Sequence, residues 1–104
     1  KTAYDAKLAA IQKKYPPATV KDFANHIDYV VKLIGIDHAG ISSDFDGGGG
    51  VDGWRNAGET FNVTLELVRR GYSEADIAKL WSGNLLRVLT DVQRTAARLQ
   101  RSAM

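Results

Sequence analysis

No cysteine occurs in the 104 residues, which excludes disulfides and thiolate zinc sites. The cellular compartment stays open, since exported proteins also lack cysteine and no stretch reads as a signal segment. No apolar run approaches the ~18 residues of a membrane-spanning helix. Proline is confined to positions 16 and 17. Charge is nearly balanced, 14 basic residues against 12 acidic for a net +2, so no strong long-range field recruits a polyanion. Arg87, Arg94, Arg98 and Arg101 face a single Asp91 near the C-terminus. Spread along a helix, they read as its solvated side and not as a nucleic-acid or lipid surface. A chain of this length, 44% hydrophobic, supports one domain with a modest core.

Helical spacing dominates what is present. Tyr4, Leu8, Ile11 and Tyr15 recur on one side of residues 3–15, and Pro16-Pro17 stops that helix. Thr19 with Asp22 three later forms a capping box for a second helix, which carries Val20, Phe23, Ile27, Val30, Val31 and Ile34 and ends at Gly35. Residues 36–43, IDHAGISS, read as a short buried strand, with β-branched Ile36 and Ile41 and a turn-rich segment after them. TFNVTLELVRR fits either period, and Gly71 behind it favours helix. Ser73 and Asp76 open a short helix through Trp81, and Leu85, Val88, Leu89, Val92, Ala96 and Leu99 mark the last one. A lone strand cannot satisfy its own backbone. The pattern is therefore either a helical domain with an odd central segment or a piece of a larger α/β protein.

Residues 42–50 read SSDFDGGGG. Two carboxylates two residues apart, followed by four glycines, suit a turn that a substrate must approach closely. They equally suit a structural Asp-x-Asp-Gly turn, in which aspartate bonds to nearby backbone N–H groups. If a strand leads into the turn, Asp44 and Asp46 project to similar sides and Phe45 anchors it. An EF-hand loop is excluded, because counting from Asp44 puts glycine at the fifth position and Arg55 at the twelfth. The aspartate pair is also similar to that of haloacid-dehalogenase-type phosphatases, but Gly48 stands where those carry a hydroxyl or β-branched residue. No dinucleotide fingerprint is present. His26 and His38 read as structural and do not form a metal pair by spacing. In the loop, Trp54 either covers a substrate or pins the loop, and Arg55 either clamps a carboxylate or is solvated. Asn84 either caps the last helix or reaches back to the Asp46 turn.

Two ordered blocks then carry a family resemblance. GIDHAGISSDFDGGGG at 35–50 and RRGYSEADIAKLWSGNLLRVL at 69–89 closely resemble the C-terminal part of membrane (renal-type) dipeptidases, peptidase family M19. The intervening GWRNAGETFNVTLELV resembles the bacterial branch. The resemblance implies an α/β fold, the C-terminal segment of a (β/α)8 TIM-like barrel of the amidohydrolase type. Residues 1–35 would then be helices, 36–43 the last barrel strand, 44–58 the active-site loop and 59–104 the C-terminal helices.

The family's chemistry is zinc-dependent dipeptide hydrolysis. Its two zinc ions are held by a His-x-Asp pair, a bridging glutamate and two further histidines, none of which maps onto these residues. Asp44 matches the family aspartate that takes the proton from the metal-bridging hydroxide and passes it to the leaving amine. By the same resemblance Asp46 supports the turn, and Gly47, Gly48 and Trp54 belong to the substrate wall; Arg55 joins them as a substrate-binding candidate on its own chemistry. Ser42 departs from the pattern, where many relatives carry glycine. The implied partners are a dipeptide, the upstream part of the same enzyme and a second copy in a homo-oligomer. Without the upstream ligands no turnover is expected. The rival from another class is a small helical interaction module that binds through its apolar helix faces.

Overall fold

In the computed structural model, which describes residues 2–104, the chain is helical throughout its regular parts. Helix α1 spans Thr2–Lys14, α2 Val20–Ile34, α3 Phe61–Arg69, α4 Glu74–Ala78 and α5 Asn84–Ser102. Short 3-10 turns occupy Ile36–His38 and Ala57–Glu59, and a π-type turn at Lys79–Gly83 joins α4 to α5. None of the described helices is long and apolar enough to cross a membrane.

The punctuation read from the sequence operates as local chemistry. Thr19 and Asp22 form a reciprocal capping box at the start of α2, the Thr19 N–H donating to the Asp22 carboxylate at 2.9 Å and the Asp22 N–H to the Thr19 hydroxyl at 3.3 Å. Gly35 ends α2 at φ 94°, a conformation that side chains rarely adopt. At the end of α3, Gly71 (φ 88°) donates to the Val68 carbonyl while Tyr72 donates to that of Leu67. That bond pair is a Schellman closure. The Ser73 hydroxyl accepts from the Asp76 N–H at the start of α4.

The α/β expectation is overturned at residues 36–43, and with it the TIM-like barrel segment of the amidohydrolase type. No β-strand exists among the described residues; pairing is limited to isolated bridges at Thr19–Asp52 and Val51–Trp54. Residues 36–38 turn as 3-10 helix, with His38 N–H donating to the Gly35 carbonyl, and residues 39–43 run on without regular structure. The physical reason is the lack of a partner edge. The Ile41 N–H finds the Leu80 carbonyl at 3.0 Å, while the Ile36 and Ala39 carbonyls are taken by the Asn84 side chain. Ile36 and Ile41 still pack against the core. Their β-branching therefore reported burial and not a ladder.

The core lies where α2, α3, α4 and the π-type turn meet, around Ala24, Ile27, Trp54, Val63, Leu67, Ile77 and Leu80. Helix α1 buries no residue, and α5 buries only Asn84. Their apolar stripes, Tyr4, Ile11 and Tyr15 on one and Leu85, Val88, Leu89, Val92 and Leu99 on the other, face outward. The radius of gyration of 19.0 Å accordingly exceeds the ~13 Å of a compact domain of this size.

One polar cluster ties α2 to the end of α3. The Arg70 guanidinium donates to Asp28 at 2.6 Å, Glu66 at 3.0 Å, the Asn25 side chain at 2.9 Å and the Lys21 carbonyl at 2.9 Å. The Tyr72 hydroxyl donates to the other Asp28 oxygen at 2.6 Å. Burial pushes the Asp28 carboxyl up, but the bonds from Tyr72 and Arg70 and the charges of Arg70 and Lys32 outweigh it and hold the group below its usual range. Burial, with the hydrogen bond to Asp28 and that group's charge, pushes the Tyr72 phenol up to about 12.

Arg70→Ala strands Glu66 and Asp28 at a half-buried seam and is expected to cost about 2–4 kcal/mol in urea unfolding. A loss near zero contradicts this reading of the cluster. Because the folded protein raises the Tyr72 pKa, the phenol's contribution is complete below pH ~10 and lost as pH climbs from there to about 12. Tyr72→Phe is expected to flatten that part of the stability-versus-pH curve.

Candidate active-site turn

Residues 43–50 form a tight turn in which one carbonyl receives two donors. The Asp44 carbonyl accepts from Gly47 N–H at 3.0 Å and from Gly49 N–H at 2.9 Å. Ser43 adds a side-chain bond, its hydroxyl accepting from Phe45 N–H at 3.1 Å. To fold this way the backbone enters the left-handed region at Asp44 (φ 56°) and Asp46 (φ 65°), the only non-glycine residues to do so among those described. Aspartate tolerates that region better than most residues, but the conformation still carries strain. With both aspartates left-handed, the strand alternation expected to send them to similar sides does not operate.

The glycines are required here for different reasons. A Cβ on Gly47 would lie 2.6 Å from an Asp44 carboxylate oxygen, and one on Gly49 would lie 2.0 Å from the Ser43 carbonyl. Gly47 leaves the Asp44 carboxylate room to fold over the turn, and Gly49 lets two backbone strands of the loop touch. Gly48 meets open space, with φ at 102°. Asp44, Asp46, Gly47 and Gly48 are all exposed.

The other expected site residues lie around this turn in distinct settings. Trp54 is buried at 4% exposure, its indole N–H donating to the Thr60 hydroxyl at 3.1 Å. Arg55 is exposed; its guanidinium pairs with Asp52 and its backbone N–H donates to Glu59 at 2.6 Å. Asn84 is buried and donates to the Ile36 and Ala39 carbonyls at 2.7 and 2.8 Å, while its own carbonyl accepts from Arg87 at 3.0 Å. It therefore grips the start of the segment that leads to Asp44 and does not reach the Asp46 turn. Asp44, Asp46 and the glycines are brought together; Trp54 underlies them, and Asn84 acts from the far end of the segment.

Sequence reasoning missed what holds the turn down. The Phe45 ring meets Trp54 edge-on at 5.4 Å, and Trp54 in turn meets Phe23 at 5.2 Å and Trp81 at 5.9 Å. Thr60 and Thr64, which serve the two indole N–H groups, stand one helical turn apart, a spacing visible in the sequence. His26 and His38 line a cavity of about 430 Å³ with Phe23, Ile27, Val30 and Leu80, on the α2 side of the segment. No group of three or more His, Cys, Asp or Glu side chains that could hold a metal ion exists among the described residues.

The family described as membrane dipeptidase (peptidase family M19) matches residues 6–103. Dipeptidase aclJ of Aspergillus oryzae is 42% identical over 83 residues, 79% of this chain and 20% of that protein. Dipeptidase 3 of Rattus norvegicus is 36% identical over 78 residues, 74% of this chain and 16% of that protein. Among solved structures, the probable dipeptidase PvdM from Pseudomonas aeruginosa matches with a TM-score of 0.75 and 55% identity, across 89% of this chain and 23% of that one. The chain thus spans about a fifth of the length of the curated relatives it matches. With nearly all of its residues matched, the chain belongs to the membrane dipeptidase family, peptidase family M19.

Proposed function

We propose that this chain supplies the proton-handling carboxylate of a dipeptide-hydrolysing enzyme, and that the carboxylate is Asp44. The observation that carries the reading is local. An exposed aspartate is held at a strained left-handed φ, heads a turn closed by two bonds to its own carbonyl, and faces a glycine whose missing side chain leaves its carboxylate free. Strain of this kind collects where geometry serves chemistry. Relatives named as dipeptidases supply the reaction class.

In peptide hydrolysis a water oxygen bonds to the carbonyl carbon and the C–N bond breaks. Asp44 accepts the proton that the water releases and returns it to the departing amine nitrogen. Arg55, exposed and only partly engaged by Asp52, offers a guanidinium for the substrate carboxylate. Gly47 and Gly48 let the substrate backbone approach, Asp46 shapes the turn, and Asn84 fixes the segment behind it.

Zinc belongs to this reading only through the rest of the enzyme. The side chains described here offer no donor set for it and do not fit a dimetal centre, so no step is assigned to it through them. The outward apolar stripes of α1 and α5 favour the same dependence, as surfaces on which the remaining four-fifths of a family enzyme would pack. The higher identity with the Pseudomonas protein than with the Aspergillus and rat proteins supports placement in the bacterial branch.

Asp44→Asn in the protein at its full natural length keeps the turn but not the base. It is expected to lower kcat for dipeptides about 10²- to 10⁴-fold with KM little changed. The 104 residues alone are expected to show no turnover. Near-normal hydrolysis by either sample overturns the assignment.

A further inference from the structure

The turn that bears Asp44 is seated from beneath by one side chain. Phe45 lies between the two left-handed aspartates, and its ring meets the edge of buried Trp54 at 5.4 Å with the planes 68° apart. Trp54 makes three such edge contacts at once, so a small rotation of its indole disturbs them all. The indole makes one hydrogen bond, from its N–H to the Thr60 hydroxyl at 3.1 Å. Thr60 occupies the N-cap position of α3, where a threonine hydroxyl ordinarily accepts from the helix's own N–H groups. Here it makes no such bond, and α3 begins without a side-chain cap. The hydroxyl is committed to the indole instead. One turn further along α3, Thr64 holds the Trp81 indole N–H in the same way at 2.9 Å.

Resting on the reading of Asp44 as the proton-handling group, we propose that Thr60 is a positioning residue for it. Its hydroxyl sets the rotation of Trp54, Trp54 seats Phe45, and Phe45 holds the turn in the left-handed form that presents the Asp44 carboxylate. Thr64 holds the neighbouring indole, which does not form an edge pair with Phe45, and so serves as the matched control.

The test uses the protein at its full natural length, assayed for dipeptide hydrolysis with thermal melts alongside. Thr60→Val preserves shape and removes the acceptor. It is expected to lower kcat roughly 10- to 100-fold, as a displaced catalytic group does, with KM within about twofold. Thr60→Ser restores the hydroxyl and is expected to recover most of the rate. Thr64→Val orphans the second indole at a similar structural cost and is expected to change kcat much less. Phe45→Leu keeps apolar volume without the ring edge; it is expected to reproduce the Thr60→Val loss and stands in for that variant should it fail to fold. Equal kcat losses for Thr60→Val and Thr64→Val, or no rescue by serine, overturn the proposal. If Asp44→Asn is inactive while Thr60→Val keeps full kcat, only the positioning role falls. If Asp44→Asn is fully active, the reading of Asp44 falls and this proposal falls with it.

Discussion

The candidate site rests on the burial of Trp54. A tryptophan in a glycine-rich loop ordinarily stays near the surface because its N–H needs a partner. Here the partner is Thr60, and with that group satisfied the whole ring enters the core at 4% exposure. It then touches Phe23 of α2, Phe45 of the aspartate turn and Trp81 of the π-type turn, so one side chain joins three parts of the chain that are distant in sequence. A loop with six glycines between positions 47 and 58 keeps a defined path because this ring, the Asp44 carbonyl and the backbone bonds of Asp52 to Ala18 and Val20 fix it. Conformational freedom is thus confined to the positions that need positive φ or close approach, and the carboxylate itself is left on the outside.

Around that hub the framework is held by polar as much as by apolar contacts. Arg70 gathers Asp28, Glu66, Asn25 and a backbone carbonyl from two helices, and the small core of Ala24, Val63 and Leu67 packs beside it. The segment leading to Asp44 is gripped from the other side by Asn84 and by the Leu80 carbonyl, both at or beside the π-type turn. Turns of this type recur at functional sites because they offset the helix and re-aim its groups. In contrast, α1 and the outer length of α5 contribute almost nothing buried. Their exposed stripes match a chain that spans a fifth of its relatives' length and belongs to a larger whole in those proteins.

What was legible in the sequence was the local chemistry. The Thr19–Asp22 capping box, the Gly35 and Gly71 stops and the helical period of α5 depend on neighbours within a few residues, and each operates as read, while at Ser73–Asp76 only the Ser73 half of a box forms. The strand at 36–43 failed because β-branched burial and β-pairing leave the same trace in a short apolar run, and only a partner edge distinguishes them. Within the site, the glycine run 47–50 was visible as a place of close approach, but that the turn itself needs Gly47 and Gly49 was not. The inward path of Trp54 was not, because it depends on a hydroxyl six residues away on a helix whose N-cap would normally claim it. Asn84, read as either capping the last helix or reaching back to the Asp46 turn, instead holds the Ile36 and Ala39 carbonyls at the start of the segment.

The most direct test of the central constraint is hydrogen exchange at the Trp54 indole N–H, followed by NMR in the protein at its full natural length. A ring locked in the core by Thr60 predicts exchange slowed by orders of magnitude relative to free indole, comparable to the Trp81 indole held by Thr64. Exchange of Trp54 at the rate of a solvent-exposed indole, with Trp81 still protected, would contradict the account.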